Sequence, residues 1–248
     1  MKWLIVNADD FGISEHVNEG ILRAHQAGAI TNATLMIRRP CASRAVSYAL
    51  KHPSLCVGLH LDLDHLLGRD ETGAERFGME RLSLMLADRK FFRDVEQEVD
   101  NQIKAFLESG LPLTHIDGHH HLHALPDLFP MIVDRMVKHG IRTIRFSRSF
   151  DLVKYPPIEW DEGFYREMEA LLKRHKIRYA DHFVTGWQPY DLTSIGDGVT
   201  ELMTHPATRE EWRVRELETL TDESWREGIK AHGIQLASFG DLGDGALG

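Results

Sequence analysis

Residues 114–123 read THIDGHHHLH, which places five histidines and an aspartate in ten positions. Imidazole nitrogen and carboxylate oxygen are ordinary ligands of a divalent cation, and three such ligands leave positions open for water and substrate. The rest of the chain offers them company: Asp9 and Asp10 in NADDFG, His60 in GLHL, Arg145 in TIRFS and His205 in ELMTHP. Taken singly, each has a plainer explanation. A lone histidine in an apolar strand is commonly a satisfied core residue. Paired aspartates after a strand commonly cap the next helix. A histidine run can be a solvated loop, and one arginine is ordinarily a salt-bridge partner. Their weight comes from where the elements put them.

The apolar run WLIVNA (Trp3 to Ala8) reads as a buried parallel strand. Ser14 then offers an N-cap, Val17, Ile21 and Ala24 recur at helical spacing, and Gly28 supplies a stop. The rhythm repeats, predicting strands over 33–37 and 56–63, from Thr114, and over 143–147, with helices over 42–51, 91–108 and 128–138. Residues 68–79 read as a loop. Further on, the pattern predicts a helix over 159–175, a strand in RYADHFV, a strand over 198–206, helices over 208–220 and 222–232, and a closing strand over 234–238. Strands alternating with helices imply right-handed βαβ units around a parallel sheet. Seven or eight of them in this length point to the α/β class, as a distorted (β/α) barrel spanning residues 1–248 as a single domain.

In such a barrel, chemistry sits at the C-terminal ends of the strands. Asp9 and Asp10 end the first strand, His60 lies in the third, Asp117 and His119 to His121 follow the fourth, Arg145 lies in the fifth and His205 ends a late one. Closure would gather them at one mouth. Burying charge there costs on the order of several kcal/mol unless it is paired or bound to a metal. The pattern therefore points to a cation site, and the lack of a cysteine ligand separates it from soft structural zinc sites. Two adjacent aspartates can divide labour, one on the cation and one accepting a proton from water.

The 248 residues, 42% of them hydrophobic, suffice for one large core. A formal charge of −9 without a long basic run argues against nucleic acid or an anionic membrane surface as partner. The N-terminus lacks a signal-peptide core, and no apolar run approaches the roughly 18 residues of a membrane span, so a cytoplasmic location is expected. Cys41 and Cys56 form no CxxC and are expected to be buried small hydrophobes.

LIVNADDFGIS, NEGI, GLHLDL, THIDGHHHLH, ELMTHP and the tail RELETLTD through GIQLASFGDL together resemble the YdjC-type carbohydrate deacetylases, a family that includes chitooligosaccharide deacetylases and is a distant relative of the NodB-type polysaccharide deacetylases. The resemblance covers nearly the whole chain. It implies Asp10, His60 and His119 as metal ligands, Asp9 as general base and His205 as general acid, with Arg145 near Asp9 or the substrate. The other histidines need separate accounts: His120 is expected to pack away from the mouth, and His121 and His123 to line the cleft or orient ligands. Asp117 would sit behind the ligands or in the cleft, and His115 would be structural. The implied cofactor is one divalent ion, Mg²⁺ ahead of Zn²⁺ or Mn²⁺. The implied reaction is hydrolysis of an N-acetyl group from an amino sugar or short chitooligosaccharide, by a homodimer.

The chain departs from the family after GLHL, where Asp62, Asp64 and His65 appear, and at Ser147, where a proline is usual. Two other functions stay open: an amide or ester hydrolase acting on a hopanoid-type glycolipid, and a metal-dependent sugar-binding protein without turnover. A mostly polar segment from Asp64 to Glu80 favours a soluble sugar over a glycolipid. The apolar residues at 155–158 and 187–190 are expected in core or interface.

Overall fold

The first apolar run forms a ten-residue strand, β1 (Lys2–Phe11), on which the rest of the sheet is built. In this computed structural model, residues 1–67, 85–147, 149–150, 158–159, 161–185, 191–244 and 247 are described. Besides β1, the parallel sheet contains β2 (Asn32–Leu35), β3 (Cys56–Leu61), β4 (Ile116–Gly118), β7 (His182–Thr185), β8 (Gly198–Thr204) and β9 (Ile234–Ala237). Its order is β4-β3-β2-β1-β8-β7. On one side β1 pairs with β8 from Lys2 to Ala8. On the other it pairs first with β9 and then with β2. Isolated parallel bridges carry the sheet from β4 through Thr143 and Ile144 to Arg178, towards β7. The fold is thus an α/β, distorted (β/α) barrel.

The helices begin and end where side-chain chemistry dictates. Helix α1 (Glu15–Gln26) is capped by Ser14, whose hydroxyl accepts from the Val17 amide at 3.3 Å. Helix α2 spans Ala42–Lys51, and a one-turn α3 spans Asp64–Leu67. The long α4 (Arg89–Glu108) is capped by Asp88 and buries Val95, Val99, Ile103 and Phe106. Helix α5 (Phe129–His139) stops at Gly140, whose φ of 74° suits a residue without a Cβ. The two-residue strands β5 (Ser149–Phe150) and β6 (Ile158–Glu159) form an antiparallel pair. Helices α6 (Glu162–His175), α7 (Glu211–Thr221), α8 (Glu223–Ala231) and α9 (Phe239–Asp244) complete the set.

Alternation along β1 separates two cores. Leu4, Val6 and Ala8 join the large core, while Ile5 joins a small cluster with Val199, Ala237 and Phe239. Asn7 and Asp9 follow Ile5 at the same two-residue period, so the face that carries the small cluster also carries the polar residues.

Several expectations need correction. The fifth strand, expected over 143–147, is reduced to bridges at Thr143 and Ile144. Its partner β4 is only three residues long, and the Arg145 carbonyl accepts from a side chain, His123 Nε2 at 3.1 Å, instead of a ladder amide. Glu159, expected to open a helix, lies in β6. Both cysteines are free and half-buried, not buried. The expected loop at 68–79 and the apolar residues at 155–157 and 187–190 lie outside the described residues.

Candidate metal centre

β1 runs through both aspartates before it ends at Phe11. In a regular strand Asp9 and Asp10 would point to opposite faces. Here the pairing of β1 with β2 shifts register between Ala8 and Phe11, and Asp10 has a φ of 67°. This bulge-like irregularity lets both carboxylates address one space. Positive φ is uncommon for residues with a side chain. Among the described residues it occurs at Asp10, His120, His121, Lys176 and Glu210, so three of the five belong to the two histidine and aspartate motifs. Strain of this kind persists where surrounding contacts over-determine it, and it clusters at functional sites.

Asp10 Oδ1, His60 and His119 converge. His119 Nδ1 lies 3.0 Å and His60 Nε2 3.5 Å from Asp10 Oδ1. That oxygen is buried and accepts no hydrogen bond of acceptable geometry. One ligand atom from each residue falls within 4.8 Å of the others, a spacing that could hold a metal ion. The second oxygen of Asp10 is engaged by Arg213 Nη2 at 2.6 Å, which leaves Oδ1 to face the histidines. Arg213 and His119 overcome the effect of burial and hold the Asp10 carboxyl well below its usual range.

Two further sets have similar spacing: Asp64 with His119 and His120, and Asp9 with His60 and Asp117. In each, as at Asp10, an arginine pairs with a carboxylate. Arg39 Nη2 lies 3.1 Å from Asp64, and Arg145 Nη2 lies 2.7 Å from Asp9 and 3.0 Å from Asp117. The donor set of Asp10, His60 and His119, with one carboxylate oxygen turned towards two imidazoles, fits a divalent cation.

Asp117 stands behind His60. Its Oδ1 lies 2.7 Å from His60 Nδ1, which fixes the ring and turns Nε2 towards Asp10. Thr34 Oγ1 donates to Asp117 at 3.1 Å and lies 3.2 Å from the same imidazole nitrogen. Burial would lower the His60 pKa, but the carboxylates of Asp117, Asp9 and Asp10 raise it to about 9. That shift reflects a strongly negative locus, one that favours positive charge at Nε2.

Asp9 is locked differently. Both its oxygens accept from Arg145, at 2.7 Å each, and Asn7 Nδ2 donates to it at 2.9 Å. Burial would raise the Asp9 carboxyl, yet Arg145 holds it well below the ordinary range. Arg145 is fully buried and also donates Nε to Glu201 at 2.7 Å. Burial, with Asp117 and Asp9 nearby, pushes Glu201 up to about 7 against the pull of Arg145. His205 Nε2 lies 4.0 Å from Asp9 Oδ2 across the mouth. Its Nδ1 side faces Glu216, which also accepts the His205 backbone amide. Burial pushes the His205 pKa down to about 4, against Asp9 and Asp10, with Arg213 and Arg145 adding to the fall.

The remaining histidines divide. His115 is fully buried, stacks on Phe239 at 3.9 Å and has Nε2 3.2 Å from Asn7 Oδ1, in line with a structural role beneath the site. His120, expected to pack away from the mouth, instead lies against His119, ring centroids 3.9 Å apart and tilted by 47°, with Nε2 3.9 Å from Asp64. It lies in the 3-10 segment His119–Ala124 that follows β4, where its φ of 53° and that of His121 at 54° break the helical path. His121 and His123 are buried, and burial together with Arg145 keeps both imidazoles neutral. Sequence reasoning missed Asn7, Thr34, Glu201, Arg213 and Glu216. Two-residue alternation from Asp9 and from His205 would have found Asn7 and Glu201 on the inward face. Arg213 and Glu216 lie in a helix and carry no such signal.

Comparison with known proteins places this geometry in context. The family model for YdjC-like proteins matches residues 3–231. A carbohydrate deacetylase of Brevibacillus brevis is 33% identical, covering 97% of this chain and 99% of its own length. A chitooligosaccharide deacetylase of Serratia marcescens is 30% identical over 97% of this chain and 99% of its own. Among solved structures, an Enterococcus faecalis protein proposed to cleave cellobiose-phosphate superimposes with a TM-score of 0.69 at 26% identity, covering 98% of this chain and 99% of its own. A match of this extent, with the aspartate and histidine motifs inside it, makes the chain a member of the YdjC-like family.

Proposed function

We propose that the protein is a metal-dependent carbohydrate deacetylase that hydrolyses the N-acetyl group of an amino sugar or short chitooligosaccharide. The observation that carries this reading is the convergence of Asp10 Oδ1, His60 and His119 beside a second pair, Asp9 and His205, 4.0 Å apart. The names of the relatives support the acetylated-sugar substrate.

Asp10, His60 and His119 would hold one divalent cation. When bound, such an ion acts as a Lewis acid and lowers the pKa of a coordinated water. Asp117 keeps the His60 ring oriented and its Nδ1 occupied. Asp9, ionised across the working range, accepts a proton from the attacking water. Arg145 fixes both oxygens of that carboxylate, so it cannot rotate away. His205 gives a proton to the departing amine. Burial holds its ring neutral at neutral pH, and Asp9, 4.0 Å away, is placed to pass it the proton taken from water. Asp9 and His205 thus form a relay that carries one proton from water to amine. His121 and His123, both neutral, line the cleft or position its walls. We read the chain as one domain.

Acetate release from N,N′-diacetylchitobiose tests this. Metal-stripped protein should be inactive, and activity should return with Mg²⁺, Mn²⁺ or Zn²⁺, with magnesium first in our expectation. Failure with every cation would exclude this substrate class.

A further inference from the structure

Four large apolar side chains are exposed among the described residues: Met1, Leu50, Leu107 and Trp212. Only Trp212 stands at the candidate site. It is 37% exposed, and its indole centroid lies 5.6 Å from the His205 ring at 63°. One side of the indole lies against the Arg213 guanidinium, whose central carbon is 4.4 Å from the ring centroid. Arg213 is itself clamped, by Asp10 at 2.6 Å and by Glu210 at 2.8 Å. The indole is therefore tied through one side chain to the carboxylate that faces the candidate cation. The turn that delivers it passes through Glu210 at a φ of 65°, a conformation seldom adopted by residues other than glycine. Such a turn is held in place by its contacts, here the ion pair to Arg213 and the amides of Arg213 and Val214 on the Glu210 carbonyl.

We propose that Trp212 is the platform that seats the pyranose ring bearing the scissile amide. The inference rests on the deacetylase reading and names a specificity determinant for it. A pyranose presents an apolar face of C–H groups inside a hydroxyl rim. An exposed indole at a polar mouth matches that face, while the rim stays hydrated. The proximity to His205 sets the subsite: a ring on this indole has its substituents within reach of the group that protonates the leaving amine. A single indole suits one sugar ring better than an extended acyl chain.

Trp212→Ala should raise KM for N,N′-diacetylchitobiose about tenfold, the size of one good aromatic contact, with a smaller fall in kcat. Trp212→Phe should recover most of the loss. An independent readout is intrinsic fluorescence. The chain has five tryptophans, so the quench by N,N′-diacetylchitobiose is taken as the difference between wild type and Trp212→Phe. The platform predicts a quench in wild type that disappears in Trp212→Phe. An unchanged KM in both variants, or an equal quench in wild type and Trp212→Phe, overturns the platform while leaving acetate release intact. Loss of quench in Trp212→Phe without acetate release by wild type would support the platform and remove the deacetylase reading. Circular dichroism that shows Trp212→Ala unfolded shifts the decision to Trp212→Phe and the quench.

Discussion

Arg145 is enclosed by three carboxylates, Asp9, Asp117 and Glu201, and has no exposure to water. A buried cation in that position is a structural requirement as much as a chemical one. Removing it leaves like charges facing each other in a medium of low polarity. Arg145→Met should lower the unfolding free energy by about 3–5 kcal/mol, read from urea denaturation. The two aspartates should separate by experiment. Asp9→Asn should keep metal and lower kcat by about 10²–10⁴-fold, whereas Asp10→Asn should lose metal. Metal loss in Asp9→Asn would mean that their roles are reversed. At this scale the sequence revealed which residue types gather, since Asp9, Asp10, His60, Asp117, His119, Arg145 and His205 all meet at one mouth. It did not reveal their partners, because Arg213 reaches Asp10 from a helix 203 positions away.

The elements hold the site through close backbone approach. Gly20 on α1 lies against the segment after β8, where an added Cβ would meet Ala207 Cα and the Pro206 carbonyl at 2.5 Å. Neither is a flexible group, so Gly20→Ala must push back the residues that follow His205. It should cost about 1–3 kcal/mol of stability, seen as a lower Tm, and should also reduce kcat. β8 itself carries a pH signature. Glu201 binds its proton more tightly in the folded state, its carboxyl pushed up to about 7 from the ordinary 4.5. Its contribution to stability is therefore full below the unfolded pKa and lost as pH rises towards the folded one. Glu201→Gln cannot titrate, so its Tm should gain on wild type between about pH 5 and about pH 8. A gap that stays constant with pH would contradict the shift. Most strands and helices were legible from apolar runs, caps and glycine stops, as with Ser14 and Gly140. The fifth strand was not, because TIRFS has the composition of a strand while His123 takes the carbonyl its ladder would need. The aspartate bulge was hidden for a related reason: it depends on the register with β2, which no local pattern encodes.

The whole molecule is a barrel whose inward face changes character along its axis. Ile5, Val199, Ala237 and Phe239 fill one level, His115 and Asn7 bridge the next, and the charged groups lie beyond. This layering explains how so much charge is tolerated: each carboxylate at the mouth has an arginine or histidine partner within hydrogen-bond range. No helix among the described residues is long and apolar enough to cross a membrane. The barrel architecture was legible because strand and helix signals alternate through the chain. The most direct test of the central claim is cation stoichiometry by elemental analysis, measured beside acetate release in wild type, His60→Ala and His119→Ala. Wild type should hold one ion per chain, with ion and activity lost together in both variants. An ion retained in either variant, or acetate release from protein without a bound ion, would contradict the claim.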